Sequence, residues 1–134
     1  MRILFSLSLI FLYSLCTAEY KIETLADDLN YPWSITFLPD GSSLITTRSG
    51  ELRQLIENEA ISAPLANVPV TYVESQGGLF DVIADPLFSE NRTIYLSLAE
   101  GSKRQNSTAI YRAVLEDHEL TDVKRIFKVS PEKD

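Results

Sequence analysis

The chain has 134 residues, 45% of them hydrophobic and 23% charged, and carries a net charge of −7. Its 12 basic residues are scattered among 19 acids, so no lysine/arginine stripe is available to neutralise a phosphate backbone, which argues against a nucleic-acid partner. One cysteine excludes an internal disulfide and a cysteine metal cluster.

Residues 1–18 read as an export signal. Arg2 gives a basic start, residues 3–15 form an apolar run, and Cys16-Thr17-Ala18 supplies the small-residue pattern at which signal peptidase cuts. The run is too short to span a bilayer comfortably and has no stop-transfer flank. Cleavage after Ala18 is therefore expected. It removes the only cysteine, leaves no membrane span, and places the mature chain, residues 19–134, in the periplasm or outside the cell. A buried N-terminal element is the alternative, and bulky Leu15 disfavours a lipid-anchored Cys16.

The mature chain reads as strands punctuated by turns. Residues 33–37 (Trp-Ser-Ile-Thr-Phe) alternate large apolar with small polar side chains, the period of a half-buried strand. Pro39-Asp40-Gly41 ends that strand with turn chemistry, since proline fixes φ and glycine accepts a positive one. Residues 43–48 are rich in β-branched side chains, Ser49-Gly50 makes a second turn, and residues 51–56 return as a third strand. Residues 60–70 contain Pro64 and Pro69 and read as an extended connection.

A second unit then repeats the plan. Strands are expected over residues 79–84, 93–99, 107–115 and 120–129. Asp85-Pro86 and a loop through Ser89-Glu90-Asn91 separate the first two. A polar hairpin tip at residues 100–106 joins the second to the third, and Glu116-Asp117-His118-Glu119 turns into the last. Trp33 and Leu79 open corresponding strands 46 positions apart, close to the propeller blade period of about 40–50 residues. The fold class is therefore all-β. The pattern favours the first two four-stranded blades of a β-propeller, with a β-sandwich as the alternative. Two blades do not close a ring, so residues 19–134 are expected to be the N-terminal part of a longer, truncated domain.

Several segments are similar to the glucose/sorbosone dehydrogenase family, the soluble pyrroloquinoline quinone (PQQ)-dependent aldose dehydrogenases. Pro32-Trp33-Ser34-Ile35-Thr36-Phe37-Leu38-Pro39-Asp40-Gly41 resembles the family's opening blade. Gln76-Gly77-Gly78-Leu79-Phe80-Asp81-Val82 resembles its Gly-Leu-Leu-Asp segment. Asp85-Pro86-Leu87-Phe88 and Asn91-Arg92-Thr93-Ile94-Tyr95-Leu96-Ser97 are similar to the family's next loop and strand. The family often reads Thr-Glu-Arg where this chain has Thr46-Thr47-Arg48, and Thr47 cannot carry that charge.

The resemblance implies a six-bladed ring of which this chain holds about a third. It implies PQQ as hydride acceptor, calcium holding the quinone, a small-molecule sugar as substrate, and a separate electron acceptor downstream. No catalytic residue is assigned within the chain, because the expected histidine base lies beyond Asp134, as do the groups that grip the quinone. The one residue carried over is Gln76, whose amide would donate to and accept from vicinal sugar hydroxyls. Gly77 and Gly78 would let backbone approach the ligand. On the residues alone, Ser75-Gln76-Gly77-Gly78 reads first as a flexible turn entering a strand, and only the resemblance brings the ligand-facing reading level with it.

Other candidates read as structure. Alternation puts Phe80, Val82 and Ala84 on one face with Asp81 and Asp85 on the other, where Asp81 is expected to accept backbone hydrogen bonds. Asp27 and Asp28 lack the ligand spacing of a calcium loop. His118 sits among acids in a surface turn and is read as non-catalytic. Trp33, Tyr95 and Tyr111 are read as blade packing. Asn91-Arg92-Thr93 and Asn106-Ser107-Thr108 match the glycosylation pattern, which matters only in a eukaryotic secretory host. Besides the dehydrogenase, a calcium-dependent propeller lactonase and a non-catalytic binding propeller fit the same architecture.

Overall fold

A computed structural model describes residues 19–57 and 59–130, so the expected export signal at residues 1–18 lies outside the described residues. Seven strands form two antiparallel sheets. Strands β1 (Pro32–Phe37), β2 (Ser43–Thr47) and β3 (Leu52–Leu55) make the first, in that order. Strands β4 (Leu79–Ala84), β5 (Thr93–Gly101), β6 (Asn106–Glu116) and β7 (Glu119–Lys128) make the second, also in chain order. Both sheets are meanders, and no described strand crosses between them. A Greek-key sandwich requires such crossings.

The turns follow from their residues. Gly41 takes φ 86°, and Asp40 Oδ1 accepts from Ser42 N at 3.0 Å and Ser42 Oγ at 2.7 Å. The Ser42 hydroxyl is the main reason that the Asp40 carboxyl lies below its ordinary range. Gly50 takes φ 101° at the second turn. There buried Thr47 shares a hydrogen bond with Ser49 Oγ at 2.7 Å and accepts from Glu51 N at 3.3 Å. Thr47 thus caps the turn from inside.

The expectation of four strands per unit is met in the second sheet and corrected in the first, which has three among the described residues. Residues 62–65 run along the free edge of β3, where Ser62 N donates to Gln54 O at 2.9 Å and Leu65 N to Leu52 O at 2.8 Å. Pro64 has no N–H with which to continue a ladder. The segment then crosses to the second sheet. Ala66 N donates to His118 O, and Leu120 N donates to Ala66 O, both at 3.0 Å.

The loop expected after Asp85-Pro86 contains one helical turn, α1 (Phe88–Asn91). Asp85 Oδ1 starts it by accepting from Leu87 N at 2.9 Å and Asn91 Nδ2 at 3.1 Å. Arg92 ends it in the left-handed conformation, its N–H on Phe88 O. Four residues are too few to leave a helical period in the sequence.

The sheets share one core that includes Leu44, Leu52, Leu79, Val82, Ile94, Leu96 and Leu98. At about 1.5–3 kcal/mol for each large side chain buried, this interface is the main stabilising feature. Two polar contacts join the sheets, Ser34 Oγ donating to Asp81 and Thr46 Oγ1 donating to Phe80 O at 2.6 Å, and beside them the Trp33 and Phe80 rings meet at 5.7 Å. Trp33, Ile35 and Phe37 nevertheless remain partly or largely exposed on the first sheet, and Ile83 and Phe127 on the second.

Strict alternation along β4 is corrected. Leu79 pairs with Leu98 and Val82 with Leu96, so three steps on β4 match two on β5. This bulge buries both Leu79 and Val82 and leaves Asp81 exposed.

Candidate functional site

A cleft of about 720 Å³ opens where the loop before β4 meets the β5–β6 hairpin. Tyr72, Glu74, Ser75, Gln76 and Gly77 come from the loop, Phe80 from β4, Lys103 from the hairpin tip, and Asn106, Ser107 and Thr108 from β6.

The loop is tied at both ends. Tyr72 N donates to Ala99 O at 2.8 Å, and Ala99 N donates to Gly78 O at 2.9 Å, which fastens it to β5. Arg48 Nη1 donates to Ser75 O at 3.1 Å, and Leu79 N donates to Arg48 O at 3.4 Å, which fastens it to the first sheet. Between these ties Gly77 N donates to Glu74 O at 2.8 Å, closing a tight turn, while Ser75 takes φ 55°. Gly78 is buried, and a Cβ there would overlap Arg48 O. Its close approach is therefore to neighbouring backbone, whereas Gly77 lines the cleft.

Gln76 sits at the exposed apex of this anchored turn and faces the cleft. Its amide makes no hydrogen bond among the described residues, so donor and acceptor are both available to a ligand. Both readings of Ser75-Gln76-Gly77-Gly78 thus apply to the same segment: it is a turn, and the turn presents Gln76 at a cleft.

Further polar groups line the cleft without a signal in the one-dimensional pattern. Glu74 accepts a hydrogen bond from Tyr72 OH at 2.5 Å and lies 3.7 Å from Lys103 Nζ across the opening. The hydrogen bond to Glu74 raises the Tyr72 hydroxyl above its ordinary range, so it stays a donor. Ser107 Oγ is buried and has no hydrogen-bond partner among the described residues. The spacing of Tyr72 and Glu74, two positions apart, is the only local hint of this group. Lys103 and Ser107 arrive by strand pairing.

The remaining candidates lie elsewhere. Asp81 is outside the cleft, where its Oδ1 accepts from Val82 N at 3.1 Å and from Ser34 Oγ. That is the structural role expected of it. His118 is exposed at the far end of β6, about 30 Å from the cleft at the usual rise per residue. Asp27 and Asp28 are exposed, and no group of three or more His, Cys, Asp or Glu that could hold a metal ion occurs among the described residues. Tyr95 and Tyr111 are partly buried and donate to Asp85 at 2.8 Å and Glu100 at 2.5 Å. Trp33 packs on Phe80 yet remains 48% exposed. Asn91 and Asn106 donate their amides to Asp85 and to Ser102 O.

A cleft lined by an amide, a carboxylate, an ammonium group and hydroxyls is suited to a polyhydroxylated ligand. It holds no nucleophile–base pair among the described residues.

Comparison with known proteins places this geometry in context. A family profile described as Glucose / Sorbosone dehydrogenase matches residues 29–134. Over 118 residues the chain is 40% identical to the aldose sugar dehydrogenase YliI of Escherichia coli (strain K12), covering 85% of this chain and 32% of that protein. The crystal structure of the soluble aldose sugar dehydrogenase from Escherichia coli in the apo-form superposes with TM-score 0.78 at 39% identity, over 82% of this chain and 33% of that one. The PQQ-bound form of aldose sugar dehydrogenase from Streptomyces coelicolor shares the fold, with TM-score 0.70 at 22% identity over 82% of this chain and 34% of that one. The chain thus spans about a third of the length of the relatives it matches.

Proposed function

The chain belongs to the glucose/sorbosone dehydrogenase family, and from that premise we propose that it forms the N-terminal third of an exported, PQQ-dependent oxidoreductase that oxidises aldoses at the anomeric hydroxyl. One observation carries the substrate reading: Gln76, on a turn tied to both sheets, offers an unpaired amide to the cleft. In this reading Gln76 orients the sugar ring by donating to one hydroxyl and accepting from its neighbour.

The architecture supports a propeller. Two meanders follow one another, share a core and leave further large apolar side chains exposed, as blades awaiting neighbours do. Two sheets in about a third of the relatives' length agree with a ring of six. Residues 1–18 would direct export to the periplasm or the medium.

The PQQ-bound Streptomyces relative supports quinone as the cofactor. The residues of this chain do not fit a complete quinone site. Among the described residues Lys103 is the only basic side chain lining the cleft, and it faces Glu74 at 3.7 Å. No metal-holding acid cluster occurs among them either. In the reading that the family resemblance gives, the groups that hold PQQ and calcium, and the histidine base, belong to the remaining two-thirds of the domain.

The test is direct. Full-length protein prepared without cofactor is mixed with PQQ and calcium, then assayed for aldose-dependent dye reduction. Turnover that requires both additions supports the reading, and a folded, full-length sample without turnover removes it.

A further inference from the structure

Glu74 and Lys103 are the only charged side chains among the described residues that line the cleft. They are held very differently. The Glu74 carboxylate is fixed by Tyr72 OH at 2.5 Å, on a loop fastened to β5 through Tyr72 N and Ala99 O. Lys103 stands on the hairpin tip with its side chain 81% exposed, and its 3.7 Å separation from Glu74 exceeds hydrogen-bond length. Exposed pairs of this kind hold weakly, and a lysine stem swings aside readily. A ligand entering the cleft therefore displaces the ammonium and meets an oriented carboxylate, with Gln76 two positions along the same loop.

We propose that Glu74, oriented by Tyr72, is a specificity-determining residue that makes the cleft favour cationic and neutral sugars over sugar acids. The inference rests on the sugar-site reading of Gln76. The free Glu74 oxygen accepts from sugar hydroxyls or from an ammonium group, and repels a second carboxylate brought within the same cleft. Lys103 tempers this bias while it spans the opening.

The experiment compares glucosamine, glucose and glucuronate as substrates of the full-length, PQQ- and calcium-loaded protein, near pH 6, where the amine is charged. Wild type is expected to give a higher kcat/KM for glucosamine than for glucuronate. Glu74→Gln is expected to lower that ratio about five-fold, the scale of one partly exposed charge pair, with the change lying in KM. Lys103→Ala moves the ratio the opposite way. An unchanged ratio in Glu74→Gln, with glucose still oxidised, overturns the assignment and leaves the sugar-site reading standing. A wild-type protein that oxidises none of the three removes both.

Discussion

The carbonyl oxygen of Arg48 occupies the space into which any side chain at position 78 would project, so Gly78 is a point at which the two sheets meet through backbone. Leu79 N donates to that same oxygen, and the Arg48 guanidinium reaches on to Ser75 O at 3.1 Å. One residue at the end of the first sheet's β2 thereby fixes both the entry to β4 and the turn that carries Gln76. Gly78→Ala is expected to cost about 1–3 kcal/mol, because backbone must move to admit a methyl group. Urea unfolding monitored by circular dichroism measures this, and a variant as stable as wild type would show that the sheets are not locked at that point.

Gln76 lies beyond this junction and contributes nothing to it. Gln76→Ala removes an amide that has no partner among the described residues, so its unfolding midpoint is expected to match that of wild type. In the full-length enzyme the same change should reduce kcat/KM for aldoses up to about ten-fold, the worth of a neutral hydrogen bond or two. Quinone loading, tracked by its absorbance, should not change. Steady-state kinetics with full turnover retained would return the residue to a purely structural turn.

Strand content is legible in the sequence because it rests on local chemistry. Pro39-Asp40-Gly41 and Ser49-Gly50 place glycines at φ 86° and 101°, and the alternation in residues 93–99 survives as buried Ile94, Leu96 and Leu98 in β5. The features that escape a sequence reading depend on partners distant along the chain. The bulge at Phe80-Asp81 arises from pairing with β5, and nothing within residues 79–84 announces it. Among the described residues the first sheet has no fourth strand, which is consistent with Pro64, a residue that fits a linker and a ladder-breaker equally well. The cleft is half legible. Gln76 stands in a motif, whereas Lys103 and Ser107 reach the cleft through the β5–β6 hairpin, whose register no short motif specifies.

Ser107 offers a test of stability without a loss of contacts. Its Oγ is buried and unpartnered, so its desolvation is uncompensated. Ser107→Ala is expected to stabilise the protein by about 1 kcal/mol, read as a higher urea midpoint with an unchanged slope. Destabilisation instead would mean that the hydroxyl is satisfied in solution, for example by a bound water.

Glu100 should contribute to the acid sensitivity of the fold. Its carboxylate accepts from Tyr111 OH at 2.5 Å and pairs with Arg125 at 2.5 Å and Lys128 at 3.1 Å, joining β5, β6 and β7. The Tyr111 hydrogen bond, with the two cations adding to it, holds the group below its ordinary value of 4.5, while burial partly opposes them. A carboxyl whose folded pKa is lowered binds its proton more readily in the unfolded chain. Its stabilising contribution is therefore complete above pH 4.5 and lost as pH falls through the lower, folded value. Melting temperatures across the acid range should fall more steeply for wild type than for Glu100→Gln, and the two curves should converge at the acid end. Parallel curves would show that Glu100 makes no pH-dependent contribution. Tyr111 contributes to the opposite limb. Burial, and then Glu100, raise its hydroxyl above 10.0, so its contribution persists below that pH and fades as pH climbs through the folded value. Tyr111→Phe should flatten the alkaline decline and also weaken the acid one, because the hydroxyl that anchors Glu100 is gone.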